Sequence, residues 1–184
     1  MSDRRSYFLI ITSFMAGLGA ISPHAYAQIS SDGSLSTSVT SSDNQNFVIE
    51  NGDRAGNNLF HSFDTFSVTT NGSAIFNNDN TIEKILGRIT DNNVSNIDGL
   101  VQANGAANVF LFNPNGIVFG ENASLNIGGS FVASTAESIL FSDTIEFSAT
   151  EIAPAHLLTV YTPVGMGLGT NNGEITVLGT RNRM

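Results

Sequence analysis

An enzyme needs titratable groups that converge on one point, and this sequence offers few. Its histidines are His24, His61 and His156. None stands at metal-ligand spacing from another, and with no cysteine there is no thiolate to complete a zinc set. A Ser-His-Asp triad needs no adjacency in sequence and stays open on these grounds, but the Gly-x-Ser-x-Gly elbow is absent. His61 falls in Asn-Leu-Phe-His-Ser-Phe, where it reads as a structural histidine near a strand end. A polysaccharide lyase would combine acidic calcium ligands with a basic residue. The candidate bases are Arg54, Lys84 and Arg88, with Arg181 and Arg183 near the C-terminus, and Asp91 and Asp98 come nearest to an acidic cluster. The Asp-x-Asp-x-Asp-Gly calcium loop and the glycine-rich nonapeptide repeat are both missing. These charges read as solvated turn residues. No catalytic, cofactor-binding or metal-binding residue is assigned.

The elements that would have to position any site are short. From Phe47 onward, brief apolar runs alternate with Asn, Gly and Asp. The expected strands are 48–49, 59–60, 63–68, 74–76, 97–101, 109–112, 117–119, 125–127, 131–133, 139–141 and 145–147. Thr81–Leu86 is the one candidate helical turn. Ser/Asp/Asn/Thr-rich residues 28–46 read as an exposed leader or a capping segment. Very short strands with shorter connections suit a β-solenoid, whose coils bury their apolar faces only by stacking. A β-sandwich with irregular loops is the alternative. Ile75, Ile97, Ile117 and Ile139 recur at intervals of 22, 20 and 22, and Val109 and Phe131 are also 22 apart. Asn at equivalent corners could form hydrogen-bonded ladders. Three Asn-x-Ser triplets, at Asn71, Asn93 and Asn122, match the glycosylation acceptor pattern but read as turns.

One stretch carries the sharpest local signal: Val-Phe-Leu-Phe-Asn-Pro-Asn-Gly-Ile-Val-Phe-Gly, residues 109–120. Pro114 presets the second turn position, Asn115 tolerates the left-handed region and Gly116 enters it freely. Both flanks are apolar at successive residues, which suits strands packed on both faces rather than a half-exposed hairpin.

The N-terminus reads as a secretory signal peptide. Arg4 and Arg5 form a positive start, Tyr7–Ile21 an apolar stretch, and Ala25-Tyr26-Ala27 a small-x-small cleavage pattern, with cleavage expected between Ala27 and Gln28. Residues 28–184 then form one domain. The net charge is −9, and loss of the leader removes two arginines and one aspartate, so the remainder is more acidic still. That balance argues against nucleic acid or an anionic membrane as partner. Without cysteine, an exported chain must rely on packing and backbone pairing.

Three blocks, Asn58–Phe63, Ser95–Gly120 and Leu125–Thr135, appear in order behind the leader. Together they resemble the filamentous haemagglutinin family N-terminal domain, the secretion domain of two-partner secretion exoproteins, in its cyanobacterial wording. The resemblance implies an all-β, right-handed parallel β-helix of the single-stranded pectin-lyase-like kind, with an N-terminal cap and extra-helical β-elements. It also implies passage through the general secretory machinery into the periplasm. There, POTRA domains of an outer-membrane β-barrel transporter recognise the chain, which then folds outside as part of an adhesin-type protein. The family's Asn-Pro-Asn-Gly-Ile motif maps onto Asn113, Pro114, Asn115, Gly116 and Ile117, as a transporter contact or as a structural corner. A second family motif, Asn-Pro-Asn-Leu, has no counterpart here.

Family proteins usually continue well beyond this domain, whereas this sequence ends in Thr-Arg-Asn-Arg-Met. That leaves a truncated gene product, a fragment of a longer reading frame or a free-standing secreted module. A surface carbohydrate-binding module is a rival function, weakened by three tyrosines and no tryptophan; the lyase is a more distant one.

Overall fold

The computed structural model describes residues 29–152, 158–170 and 173–179, and within them every regular element is a strand. The expected leader, the Ala27/Gln28 junction, His24, His156, Arg181 and Arg183 lie outside the described residues.

The chain winds as a β-solenoid of about three coils. One wall stacks β3 (Asn46–Asn51), β6 (Ser73–Phe76), β9 (Leu100–Ala103) and β12 (Ser124–Asn126) in parallel. A second stacks β5 (Asn58–Phe66), β7 (Lys84–Ile89), β10 (Asn108–Phe112) and β13 (Phe131–Ser134). A third begins with β8 (Ser95–Ile97) and β11 (Ile117–Phe119). The first coil is closed by antiparallel strands: β1 (Ile29–Ser31) and β4 (Asp53–Ala55) on β5, and β2 (Thr37–Thr40) on β3. Residues 29–46 are thus a cap rather than an exposed leader, with Ile29, Leu35 and Thr37 buried. After β13 the chain leaves the coil and builds an antiparallel sheet, β15 (Glu146–Ser148), β14 (Ser138–Phe141) and β16 (Pro163–Gly167). It then returns as β17 (Ile175–Val177), parallel to β11.

The second wall is buried on both faces, which explains its unbroken apolar runs. Ile85, Ile89, Val109 and Leu111 point into the coil. Phe60, Leu86 and Phe112 point outward, beneath Ile139, Phe141 and Phe147 of the extra-helical sheet. The Phe147 ring meets Phe60 edge-on at 5.1 Å and Phe112 at 5.8 Å.

Two-sided burial also corrects the expected helical turn. Ile82, Ile85, Leu86 and Ile89 mimic helical spacing, but they divide between the coil interior and the outer layer, and Lys84–Ile89 is a strand. The expected strand 97–101 is two strands on different walls, divided by the corner at Asp98-Gly99. Of the proposed repeats, Val109 and Phe131 are true register partners. The isoleucine series is not: Ile75 aligns with Gln102, Ile97 with Phe119 and Ile117 with Ser95, while Ile139 lies outside the coil. Corners of unequal length spoil a fixed period.

Amide side chains link successive coils in ladders, one of them ending on a carboxylate. Asn77 donates to Glu50 at 2.8 Å and accepts from Asn104 at 3.1 Å; Asn126 donates to Gln102 at 3.1 Å. The one ion pair among the described residues joins Lys84 to its sequence neighbour Glu83.

One charge sits in the apolar outer layer. Arg88, 1 % exposed, donates through Nε to Ser62 Oγ at 2.7 Å, through one terminal nitrogen to the Ser148 carbonyl at 2.7 Å and through the other to Ser34 Oγ at 3.0 Å. Its guanidinium lies 4.6 Å from the Phe147 ring centre. Ser62 and Ser34 in turn donate to Asp32, so both hydroxyls relay the cation to a carboxylate. Burial lowers the Arg88 pKa and Asp32 opposes that shift. Burial acts to raise the Asp32 carboxyl, but hydrogen bonds from Ser62, Ser34 and Thr90 outweigh it and hold it below its ordinary value. Each buried ring of the layer contributes about 1.5–3 kcal/mol, so four phenylalanines offset the several kcal/mol that the desolvated guanidinium costs.

His61 is the buried counterpart on the inner face, in mid-strand rather than near a strand end. It packs on Phe76 at 5.5 Å, and its Nδ1 has no hydrogen-bond partner. Burial pushes its pKa from 6.5 down to about 4, against a smaller opposing pull from Asp53.

Two outcomes follow from these buried groups. Replacing Arg88 with Met takes the donor from the Ser148 carbonyl and the cation from the Ser62–Ser34–Asp32 relay, and should lower the free energy of unfolding by about 2–4 kcal/mol, read as a lower urea midpoint at unchanged slope. For His61, the unfolded chain binds a proton below pH 6.5 that the folded chain refuses until about pH 4. Stability should therefore be complete above pH 6.5 and fall by about 2 kcal/mol on going to pH 5. Urea titrations of wild type and His61→Met should show this slope in the first and lose it in the second.

Candidate functional site at the Asn-Pro-Asn-Gly corner

Asn113–Gly116 is a corner between two walls, not a hairpin: β10 and β11 belong to different sheets. A chain turning between walls leaves backbone groups that neither ladder can reach, and buried groups of this kind must find partners. Asn113, fully buried, supplies most of them. Its Oδ1 accepts from the Asn115 amide at 2.9 Å, closing an Asx turn, while its carbonyl accepts from the Gly116 amide at 3.1 Å. Its Nδ2 donates down to the preceding coil, to the Asn93 carbonyl at 2.9 Å and Ser95 Oγ at 3.0 Å. Its own amide donates up to the Ser134 carbonyl at 3.0 Å. Asn115 Nδ2 donates to the Asp91 carbonyl at 2.7 Å. The motif thus stitches three successive levels.

Gly116 alone of the turn takes a positive φ, +125°; Asn115 does not. Pro114, Gly116 and Ile117 are buried, and the cover is the segment leading into β17. A Cβ on Gly173 would stand 2.3 Å from the Pro114 carbonyl and 2.6 Å from the Gly116 amide nitrogen. Ile117 donates to the Glu174 carbonyl at 2.9 Å.

The groups considered for lyase chemistry are not brought together. Arg54 donates to the Gly56 carbonyl and to Thr81. Arg88 is sealed in the outer layer. Asp91 accepts from Asn93 within its own corner, and Asp98 accepts from Thr70 on the coil before and from Asn122 on the coil after, so each carboxylate is held as a structural acceptor. Among the described residues no group of three or more His, Cys, Asp or Glu could hold a metal ion.

The family described as the TPS secretion domain matches residues 27–184. The chain belongs to this family. TPS domains are the secretion domains of two-partner secretion exoproteins, so the chain is of the secreted class. Among solved structures it is similar to one titled "Crystal structure of filamentous hemagglutinin secretion domain", at 22 % identity and a TM-score of 0.51. The match covers 60 % of this chain and 43 % of that one, so the chain spans under half the length of that structure. The likeness establishes the fold. No curated protein matches.

Two features of this TPS domain have no sequence signal. The return of β17 over the corner follows a long excursion, and only tertiary structure brings it back. Arg88 sits in Lys-Ile-Leu-Gly-Arg-Ile, where nothing in the types or spacing sets it apart from Lys84.

Asn113→Ala should cost about 2–3 kcal/mol, because it strands partners on two levels at a fully buried position. Gly116→Ala should also destabilise, since an alanine at positive φ is strained and its Cβ would lie 3.0 Å from the Glu174 carbonyl. Thermal unfolding of the two variants beside wild type checks both.

Proposed function

We propose that this chain is the targeting module that takes an exported protein across the outer membrane. Residues 1–27 act as a leader for the general secretory machinery and are removed between Ala27 and Gln28. In the periplasm, POTRA domains of an outer-membrane β-barrel transporter engage the domain while it is unfolded or partly folded, and the β-helix is completed outside the cell. Folding then opposes back-sliding: a domain stability of roughly 5–15 kcal/mol is ample to bias direction without nucleotide. The absence of cysteine supports this reading, since no covalent loop would obstruct a narrow passage.

The observation that carries the proposal is the burial of Asn113, Pro114, Gly116 and Ile117 beneath the β17 segment in the folded domain. A partner that depends on this corner must meet the chain before it is complete. In this reading the five motif residues serve the partner indirectly, by fixing the path of β11.

The test is export from a Gram-negative host with and without the cognate transporter. Protein should reach the medium only when the transporter is present and accumulate in the periplasm otherwise; equal release in both strains would refute the proposal. Asn115→Ala should lower export and the stability of the purified domain together. Export lost at unchanged stability would replace the structural role of the motif with a direct contact.

A further inference from the structure

Asn followed by Gly is a reactive pair, and this chain carries it at Asn51, Asn71, Asn104, Asn115 and Asn172, the last outside the described residues. With no Cβ on the second residue, its backbone nitrogen can close on the asparagine side chain. That nitrogen attacks Cγ: the N–Cγ bond forms, the Cγ–Nδ2 bond breaks, and ammonia leaves with the backbone proton. Water then opens the cyclic imide at either C–N bond, giving aspartate or isoaspartate. The reaction needs an asparagine side chain able to turn and a glycine nitrogen able to leave its own hydrogen bond.

The fold treats the four described pairs unequally. Asn104 Nδ2 donates to Asn77 Oδ1 at 3.1 Å and to the Asn78 carbonyl at 3.2 Å, on the coil before. Asn115 Nδ2 donates to the Asp91 carbonyl at 2.7 Å, and Gly116 beside it is buried. In both, the nitrogen that would leave is built into the contacts between coils. Asn51 and Asn71 are exposed, and their side-chain amides have no hydrogen-bond partner among the described residues. Between these two the glycine decides. Gly72 is buried and its nitrogen donates to the Thr69 carbonyl at 2.8 Å; Gly52 is half-buried and its nitrogen reaches the Ser36 carbonyl at 3.2 Å.

We propose that Asn51 is a self-modification site of the folded domain, converting to aspartate and isoaspartate, while the contacts that join the coils keep Asn104 and Asn115 as amides. The change falls where it has a consequence. Asn51 ends β3 opposite Thr37 of the cap strand β2, at a φ of +61°. Aspartate tolerates that left-handed conformation. Isoaspartate lengthens the backbone by one carbon, and Gly52 has no slack to absorb it. A Cβ on Gly52 would stand 2.7 Å from the Phe60 carbonyl oxygen and 2.8 Å from a ring carbon of buried His61. The isoaspartyl form therefore loosens the cap.

The test is peptide mapping by mass spectrometry of the purified full chain, aged in mildly alkaline buffer with and without concentrated urea. In the folded protein Asn51 should convert at least about tenfold faster than Asn104 and Asn115, with Asn71 between them; in urea the four should convert at similar rates. Fractions carrying isoaspartate at this position should unfold at a lower urea concentration than unaged protein, and Asn51→Asp close to it. Any of the other three converting as fast as Asn51 in the folded protein overturns the assignment, as does an inert Asn51 under conditions where the urea-treated chain reacts. An isoaspartyl fraction as stable as unaged protein overturns the effect on the cap.

Discussion

The middle wall of the solenoid, β5–β7–β10, is a parallel sheet that must be dry on both sides. Parallel sheets rarely stand with one face in water, and here the coil interior covers one face only. The other depends on an antiparallel sheet contributed by residues far along the chain. Arg88 stands where these parts meet. Its three donor contacts reach the cap loop, the first coil and the extra-helical sheet, so four stretches distant in sequence share one guanidinium. The apolar layer supplies the energy, and the cation supplies the geometry, because its fixed fork accepts only one arrangement of acceptors.

The corner at Asn113 does for the coil's path what Arg88 does for its layers. Both solve the same problem, that a backbone leaving a ladder must still be hydrogen-bonded. Arg88 solves it with charge in an apolar wall; Asn113 does so with a neutral amide that offers both donors and an acceptor. A neutral solution suits a fully buried corner, since it adds no desolvated charge to the stack.

Much of this architecture is legible in the sequence, and the reasons are local. Short β-branched and aromatic runs punctuated by Asn and Gly give strands and corners, and the order of the three blocks gives the family. Double burial of the middle wall is visible in Val109–Phe112, where no alternation survives. The same double burial disguises β7, whose apolar positions fall at helical intervals. The register of the coils is illegible because corner length varies: isoleucines at near-constant spacing land on different walls. The cap is polar enough to read as loop, although β2 pairs fully with β3. The strand over the corner is invisible for a deeper reason, since nothing local distinguishes Ile175–Val177 from any other short strand. Within the corner, Pro114 and Gly116 announce the turn, but the reach of Asn113 to the levels above and below comes only with stacking.

The side-chain ladders between successive coils pair amides and hydroxyls with one another or with single carboxylates, and no ion pair among the described residues joins one coil to the next. Bonds of this kind respond less to dissolved ions than a lattice of opposite charges, which weakens once the Debye length shrinks to about 3 Å near molar ionic strength. What salt does act on is the surplus of negative charge, whose mutual repulsion it screens. A module assembled in this way loses little cohesion between fresh water and brine, and the outside of a cell is the one compartment whose salinity its owner does not control.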